Sequence, residues 1–477
     1  LDKARPIWAS FFLAFPFDST FKQGLNADVR FISRNPATEK LMKRHRPHTN
    51  AEIQTKIRRL HLTHADWSQL SWDERWQILN RVMNKISAQT EALALTITRE
   101  MGKPISQARA EVQKSLTVLA AYRTPLSDQA IGNEAMIRAE SLGVILGIMP
   151  WNFPVWQLLR MAVPALLTGN TVLVKHAPNV LMTSSQISQI FHETYPGIFE
   201  EMVCGTAQVH RVIADPVIQG VSLTGSVAAG QAVATTTARF LKKTVLELGG
   251  SDPAVVLEDA DLDQAVEGCL AGRLVNSGQS CVASKRFFVH ASLSKRFCEA
   301  LKDRLRTIPP LHPELEDSQL GPLARSDLRE QLHRQILKSV RQGARLELGG
   351  IIPRGKGYYY PSTLLTNVTA AHEVFREETF GPVFAVMSFR NESEALRAVL
   401  TSRYGLGASV YSQSREKQEF WARQFCAGVV GINQPPRSDP RWPFGGRRES
   451  GIGRELGPQG LTEFINWKSV IQKEVTS

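Results

Sequence analysis

The chain has 477 residues, 43% hydrophobic and 21% charged, with a net charge of +12. This balance excludes disorder as the main state, and five cysteines are too few, and odd in number, for a disulfide scaffold. No run of 18 apolar residues occurs, which excludes a polytopic membrane protein, and the length predicts two or three domains.

The first thirty residues hold an eleven-residue apolar run, Ile7 to Phe17, behind Lys3 and Arg5. The run has the look of a signal-peptide core, but it is too short to span a bilayer, Asp18 and Lys22 end it, and no small-x-small cleavage site follows closely. Residues 1–30 are read as an N-terminal extension without an assigned role. Residues 1–60 carry 12 Lys/Arg against 5 Asp/Glu, while the remaining 417 carry 45 against 40. Lys40, Lys43, Arg44, Arg46, Lys56, Arg58 and Arg59 form the dense part. A nucleic-acid-binding role for this region is the alternative outside enzymology. A solvated helix or loop surface is the preferred reading, because no zinc-ligand, helix-turn-helix or aromatic RNA-binding signature accompanies the charge.

Further along, Ser71-Trp-Asp-Glu74 has capping-box spacing and predicts a helix to about Arg99, with a second to about Tyr122. Short apolar runs at 143–149, 171–175, 221–224 and 244–247 predict buried strands, separated by helices near 155–168, 180–194 and 227–238. The second half repeats the pattern. Strands are expected near 253–257, 285–289, 383–389, 408–411 and 428–432, and helices near 262–276, 293–306, 324–342, 393–402 and 415–425. Alternation at this spacing predicts parallel α/β sheets in two close lobes.

Four features carry chemistry. Gly278-Gln-Ser-Cys281 places a cysteine among a glycine and polar residues between a helix and a strand, unlike Cys204, Cys269, Cys298 and Cys426, which read as small buried hydrophobes. A thiolate there would attack carbonyl carbon. Glu247, 34 residues earlier, follows an apolar strand and precedes a double glycine, so it is either paired or a general base. Pro150-Trp-Asn-Phe-Pro154 fixes the amide of Asn152 in a rigid loop, either as an oxyanion donor or as a turn that caps the next helix. Thr224-Gly-Ser-Val-Ala-Ala-Gly230 joins a strand to a helix, with glycines that let backbone amides face a pyrophosphate.

These four features stand in register with Val174-Lys-His-Ala-Pro178, Arg376-Glu-Glu-Thr-Phe-Gly-Pro382 and Pro443-Phe-Gly-Gly446. Together they resemble the aldehyde dehydrogenase superfamily from about residue 31 to the C-terminus. Lys175-His-Ala-Pro-Asn179 and Glu247-Leu-Gly-Gly-Ser-Asp-Pro253 look most like its bacterial succinate-semialdehyde branch. The resemblance implies an NAD(P)-binding Rossmann-like domain from 31–122 and 142–249, an α/β catalytic domain from 250–462, and a small β oligomerisation flap from 123–141 and 463–477. It implies a homodimer or homotetramer with no metal, nucleic-acid or membrane partner, placed in the cytoplasm because the chemistry uses a free thiolate and a nicotinamide cofactor.

By the same resemblance Cys281 is the nucleophile, Asn152 the oxyanion donor and Glu247 the base that activates the hydrolytic water. Trp151, Lys175, Gly225, Ser226, Gly230, Glu378 and Phe380 line the cofactor site, with NAD or NADP accepted because Pro178 stands where NAD-restricted relatives carry a glutamate. The reaction implied is oxidation of succinate semialdehyde to succinate; the alternative is another small aldehyde, such as glutarate semialdehyde or an aliphatic one. Arg160 resembles the arginine that grips the substrate's far carboxylate, and Ser438 stands near the substrate-binding serine. A second arginine found in some members is replaced by Val275, which leaves Ser438, Arg437 or Arg441 to make up the charge. The second cysteine that some relatives carry near the nucleophile is replaced by Ala283.

Overall fold

The computed structural model describes residues 31–132 and 134–471. The apolar run before residue 31 lies outside them. Two parallel sheets organise these residues. The first, six strands wide, runs in the order Gly451–Ile452, Lys243–Glu247, Ile218–Thr224, Val144–Ile148, Thr171–Lys175 and Phe199–Glu201, and only Gly451–Ile452 is antiparallel to its neighbour. The second, seven strands wide, runs Arg345–Leu348, Thr363–Thr366, Val383–Phe389, Ser284–His290, Asp252–Val256, Gly407–Tyr411 and Val429–Ile432, with only Arg345–Leu348 antiparallel. Helices follow most strands, as crossovers between parallel strands require. A third, antiparallel sheet pairs Ile465–Ile471 with Ala135–Ser141 and that strand with Gln129–Ile131. Among the described residues no helix is long and apolar enough to cross a membrane.

The helix Trp156–Leu167 is buried on every side, including Gln157 and Arg160. A helix closed in all round belongs to the core, so its two polar side chains need partners inside the protein. It follows the Pro150–Pro154 loop, so the core of the first lobe sets the direction of that loop.

Several elements differ from the sequence reading. The helix expected from Ser71 to about Arg99 is two, Trp72–Ala88 and Thr90–Met101, because Gln89 leaves helical geometry at φ −105°, ψ 16°. The helix expected to 276 stops at Leu274, and Asn276, Ser277 and Gly278 turn through the left-handed region at φ 52°, 55° and 77°. The helix Asn50–Trp67 holds much of the basic cluster: Lys56 and Arg59 both pair with Glu200, at 2.9 and 2.8 Å, and Arg46 pairs with Glu52.

Candidate active site

In open parallel sheets ligands bind beyond the carboxyl ends of the strands. Here the ends of Val144–Ile148, Ile218–Thr224 and Lys243–Glu247 lead into the Pro150–Pro154 loop, the Thr224-Gly-Ser226 turn and Glu247 itself. They border a cleft of about 670 Å³ whose lining includes Trp151, Asn152, Gly225, Ser226, Glu247 and Cys281. Glu378 and Phe380 line it from the other lobe. Eight of the residues singled out in the sequence therefore meet in one cleft.

The left-handed turn delivers Cys281. A Cβ on Gly278 would overlap the Gly381 carbonyl, so only glycine permits this approach. Asn276 Nδ2 donates to the main-chain oxygens of Asn152 at 2.8 Å and Gln279 at 3.2 Å. Asn152 Nδ2 in turn donates to Gln279 O at 3.1 Å. A carboxamide nitrogen carries two hydrogens, so one Asn152 donor fixes the amide plane and the second stays available.

Lys285, wholly buried, ties the nucleophile loop to the opposite wall. Its ammonium donates to Ser280 O at 3.0 Å and Cys281 O at 2.6 Å, and faces Glu378 Oε1 at 3.2 Å. Glu378 also accepts from Gly250 N at 3.2 Å, and a Cβ on Gly249 would overlap its carboxylate. This explains the double glycine after Glu247. Sequence reasoning missed Lys285; the only signal was a lysine at the start of an expected strand, four residues past the nucleophile.

Burial pushes the Cys281 thiol up to about 11, with nearby Arg160 and Lys285 opposing the rise. Burial, reinforced by Glu455, raises Glu247 well above the ordinary carboxylate range, against the pull of Arg160 and Arg454. Neither Glu247 oxygen has a hydrogen-bond partner. A carboxylate without hydrogen bonds has both oxygens free to take up a proton.

The remaining sequence-predicted residues lie outside that lining. Arg160 is buried, ion-paired with Glu455 and 4.8 Å from the centre of the Phe444 ring. Ser438 Oγ accepts from Lys114 Nζ at 3.0 Å and Trp156 Nε1 at 3.1 Å. Gly230 lets the helix Val227–Arg239 close on Leu248, whose side chain a Cβ would overlap. Lys175 ends the strand Thr171–Lys175, with burial lowering its pKa.

A dinucleotide fits this cleft. Ser226 caps the helix Val227–Arg239, whose N-terminus opens into the cleft, and a Cβ on Gly225 would meet nothing closer than 3.5 Å. The buried Thr224 hydroxyl has no protein partner. Trp151 and Phe380 stand edge to face, 5.7 Å apart at 82°, beside it. Among the described residues no group of three His, Cys, Asp or Glu could hold a metal, and all five cysteines are free.

The family model described as "Aldehyde dehydrogenase family" matches residues 25–470. The chain is 43% identical over 419 residues to an Escherichia coli (strain K12) protein named succinate semialdehyde dehydrogenase NAD(P)+ Sad, covering 85% of this chain and 90% of that one. It is 40% identical to a Synechocystis protein named probable succinate-semialdehyde dehydrogenase NADP(+), covering 91% and 98%. A solved structure of succinic semialdehyde dehydrogenase from Streptococcus pyogenes with NADP+ superposes with a TM-score of 0.89 at 30% identity, covering 92% and 99%.

Proposed function

The chain belongs to the aldehyde dehydrogenase family, and from that premise we propose that it oxidises succinate semialdehyde to succinate with NAD(P)+. The observation that carries the reading is the convergence of Cys281, Asn152 and Glu247 in one cleft whose walls suit a dinucleotide.

Cys281 gives up its proton to solvent, its thiolate sulfur attacks the aldehyde carbon, and the carbonyl electron pair moves onto oxygen. The free Asn152 N–H and the Cys281 backbone N–H hold that oxyanion. Collapse of the oxyanion expels hydride from carbon and leaves a thioester on Cys281. NAD(P)+ bound in the cleft supplies the hydride acceptor. Glu247 then takes a proton from water as the water attacks the thioester, and the Cys281 thiolate leaves. Glu378 holds the nicotinamide ribose, Trp151 and Phe380 pack beside the ring, and Lys175 reaches the adenosine ribose. Gly225, Ser226 and Gly230 shape the pyrophosphate end, and the far carboxylate lies toward Arg160 and Ser438.

Residues 31–122 with 142–249 form the cofactor domain and 250–462 the catalytic domain. Residues 123–141 with 463–477, of which 133 and 472–477 lie outside the described residues, form the oligomerisation flap of a homo-oligomer. The exposed apolar side chains Ile131, Trp467 and Ile471 on the three-stranded sheet support this. The free thiol and the nicotinamide cofactor favour the cytoplasm.

The test is a spectrophotometric comparison of succinate semialdehyde, glutarate semialdehyde and butyraldehyde with NAD+ and NADP+. Succinate semialdehyde is expected to give the highest kcat/KM; a neutral aldehyde turned over equally well would overturn the substrate assignment.

A further inference from the structure

We propose that Lys114, on the helix Ile105–Ala120, is a specificity-determining residue that binds the far carboxylate of the semialdehyde together with Ser438. This rests on the substrate reading above.

Hydrogen-bond arithmetic at Ser438 calls for an anion. A hydroxyl offers one hydrogen and two lone pairs. Both acceptor positions of Ser438 Oγ are engaged, by Lys114 Nζ at 3.0 Å and Trp156 Nε1 at 3.1 Å, so only its hydrogen remains to be given. Lys114 has three hydrogens, and Ser438 takes one. Its ammonium lies over the Trp156 ring at 4.4 Å, a face that fixes a cation without neutralising it. The two side chains thus present donors in excess, and no acceptor of their own is left over.

Charge leads to the same conclusion. The carboxylates that act on Lys114 are committed elsewhere, Glu111 to Lys103 and Asp439 to Arg441, while Arg160 and Arg437 add positive charge around it. None of the ion pairs among the described residues includes Lys114. Arg441, one sequence candidate for the missing second charge, is held by Asp439 through two bonds of 2.8 Å and is well exposed. Arg160 is paired with Glu455. Lys114 is therefore the cation that is hydrogen-bonded to Ser438 and paired with no carboxylate.

Its position suits a short substrate. Trp156 opens the helix that follows the Asn152 loop, and its backbone N–H bonds to Glu111, one turn before Lys114. Arg160, one turn along, lies close enough to shift both the Lys114 ammonium and the Cys281 thiol. Two methylenes separate the aldehyde from the carboxylate in succinate semialdehyde, and on this assignment the anion bound near Lys114 belongs to the same molecule whose carbonyl meets Cys281.

The experiment compares kcat/KM for succinate semialdehyde and butyraldehyde in the wild type, Lys114→Met and Lys114→Arg. Lys114→Met is expected to cut the preference for succinate semialdehyde by about ten- to a hundredfold, mainly through KM, and Lys114→Arg to restore most of it. If the wild type shows no preference, the substrate reading fails. If the wild type shows the preference and Lys114→Met keeps it, the assignment of Lys114 is overturned. Should Lys114→Met not fold, Lys114→Gln, which keeps a donor for Ser438 but no charge, reads the same ratio.

Discussion

Asn276 donates from its side-chain amide to the main-chain oxygen of Asn152 at 2.8 Å, tying the loop that carries the nucleophile to the loop that carries the oxyanion donor. The bond exists only because Asn276 sits at φ 52°, in a left-handed turn where asparagine is tolerated and most residues are not. Asn276→Gly keeps that backbone and removes the amide. Two buried hydrogen bonds of about 1 kcal/mol each set a ceiling near thirtyfold. We expect kcat to fall about tenfold with little change in the KM for NAD(P)+. A kcat equal to wild type would show that the tie does not position the reaction.

Why this tie escaped sequence reasoning is clear from its geometry. Thr171–Lys175 and Lys243–Glu247 are short apolar runs buried in a parallel sheet, and composition alone marks them. The helix Asn50–Trp67 buries only Ile53, Ile57, Leu60 and Trp67, and its dense charge hid a period that the Thr49–Glu52 capping box marks. Cys281, Glu247 and Asn152 sit among glycines and prolines that betray a special backbone. Lys285 and Lys114 have no such neighbours, and Gly278, two residues after Asn276, does not tell which groups its amide meets; the roles of all three come from chain segments brought together by folding. The break at Gln89 had no glycine or proline to announce it.

Cys281→Ala should abolish aldehyde oxidation and leave cofactor binding intact, as read by fluorescence titration. Glu247→Gln should release a burst of reduced cofactor in the first turnover and then stall with the acyl group on Cys281, which intact mass spectrometry would detect. Steady turnover without a burst would remove Glu247 from thioester hydrolysis.

The thiol pushed up to about 11 makes a pH prediction for the cofactor-free enzyme. A raised thiol pKa depletes the thiolate, so at pH 7 only about one molecule in ten thousand carries it. Alkylation of Cys281 by iodoacetamide should be slow at pH 7 and still rising at pH 10, instead of levelling near pH 9. With buried Ala283 in place of a neighbouring cysteine, peptide mapping after mild peroxide should find Cys281 as an oxyacid and in no intramolecular disulfide.

Cofactor tolerance is expected to follow from Pro178. No carboxylate stands there to repel a 2′-phosphate, so kcat/KM for NAD+ and NADP+ should lie within a thousandfold. Pro178→Glu should shift the ratio toward NAD+ by raising the KM for NADP+ alone. An unchanged ratio would mean that another residue reads the 2′ position.

Arg160 calls for two variants, because its guanidinium is buried against the Glu455 carboxylate. Arg160→Leu leaves Glu455 buried without its partner, at a cost of about 3–5 kcal/mol, so the single variant mixes lost stability with lost substrate contact. Its Nη2 atom has no hydrogen-bond partner, which leaves one edge of the guanidinium for a substrate carboxylate. We expect Arg160→Leu to lower the thermal midpoint and most of the preference for succinate semialdehyde over butyraldehyde. The double variant Arg160→Leu/Glu455→Gln should recover much of the midpoint, because the stranded charge is gone, while the preference stays low. Thermal melts and kcat/KM ratios on both proteins separate the two effects. If the double variant regains the preference along with the midpoint, Arg160 serves only to neutralise Glu455, and recognition of the carboxylate falls to Lys114 and Ser438.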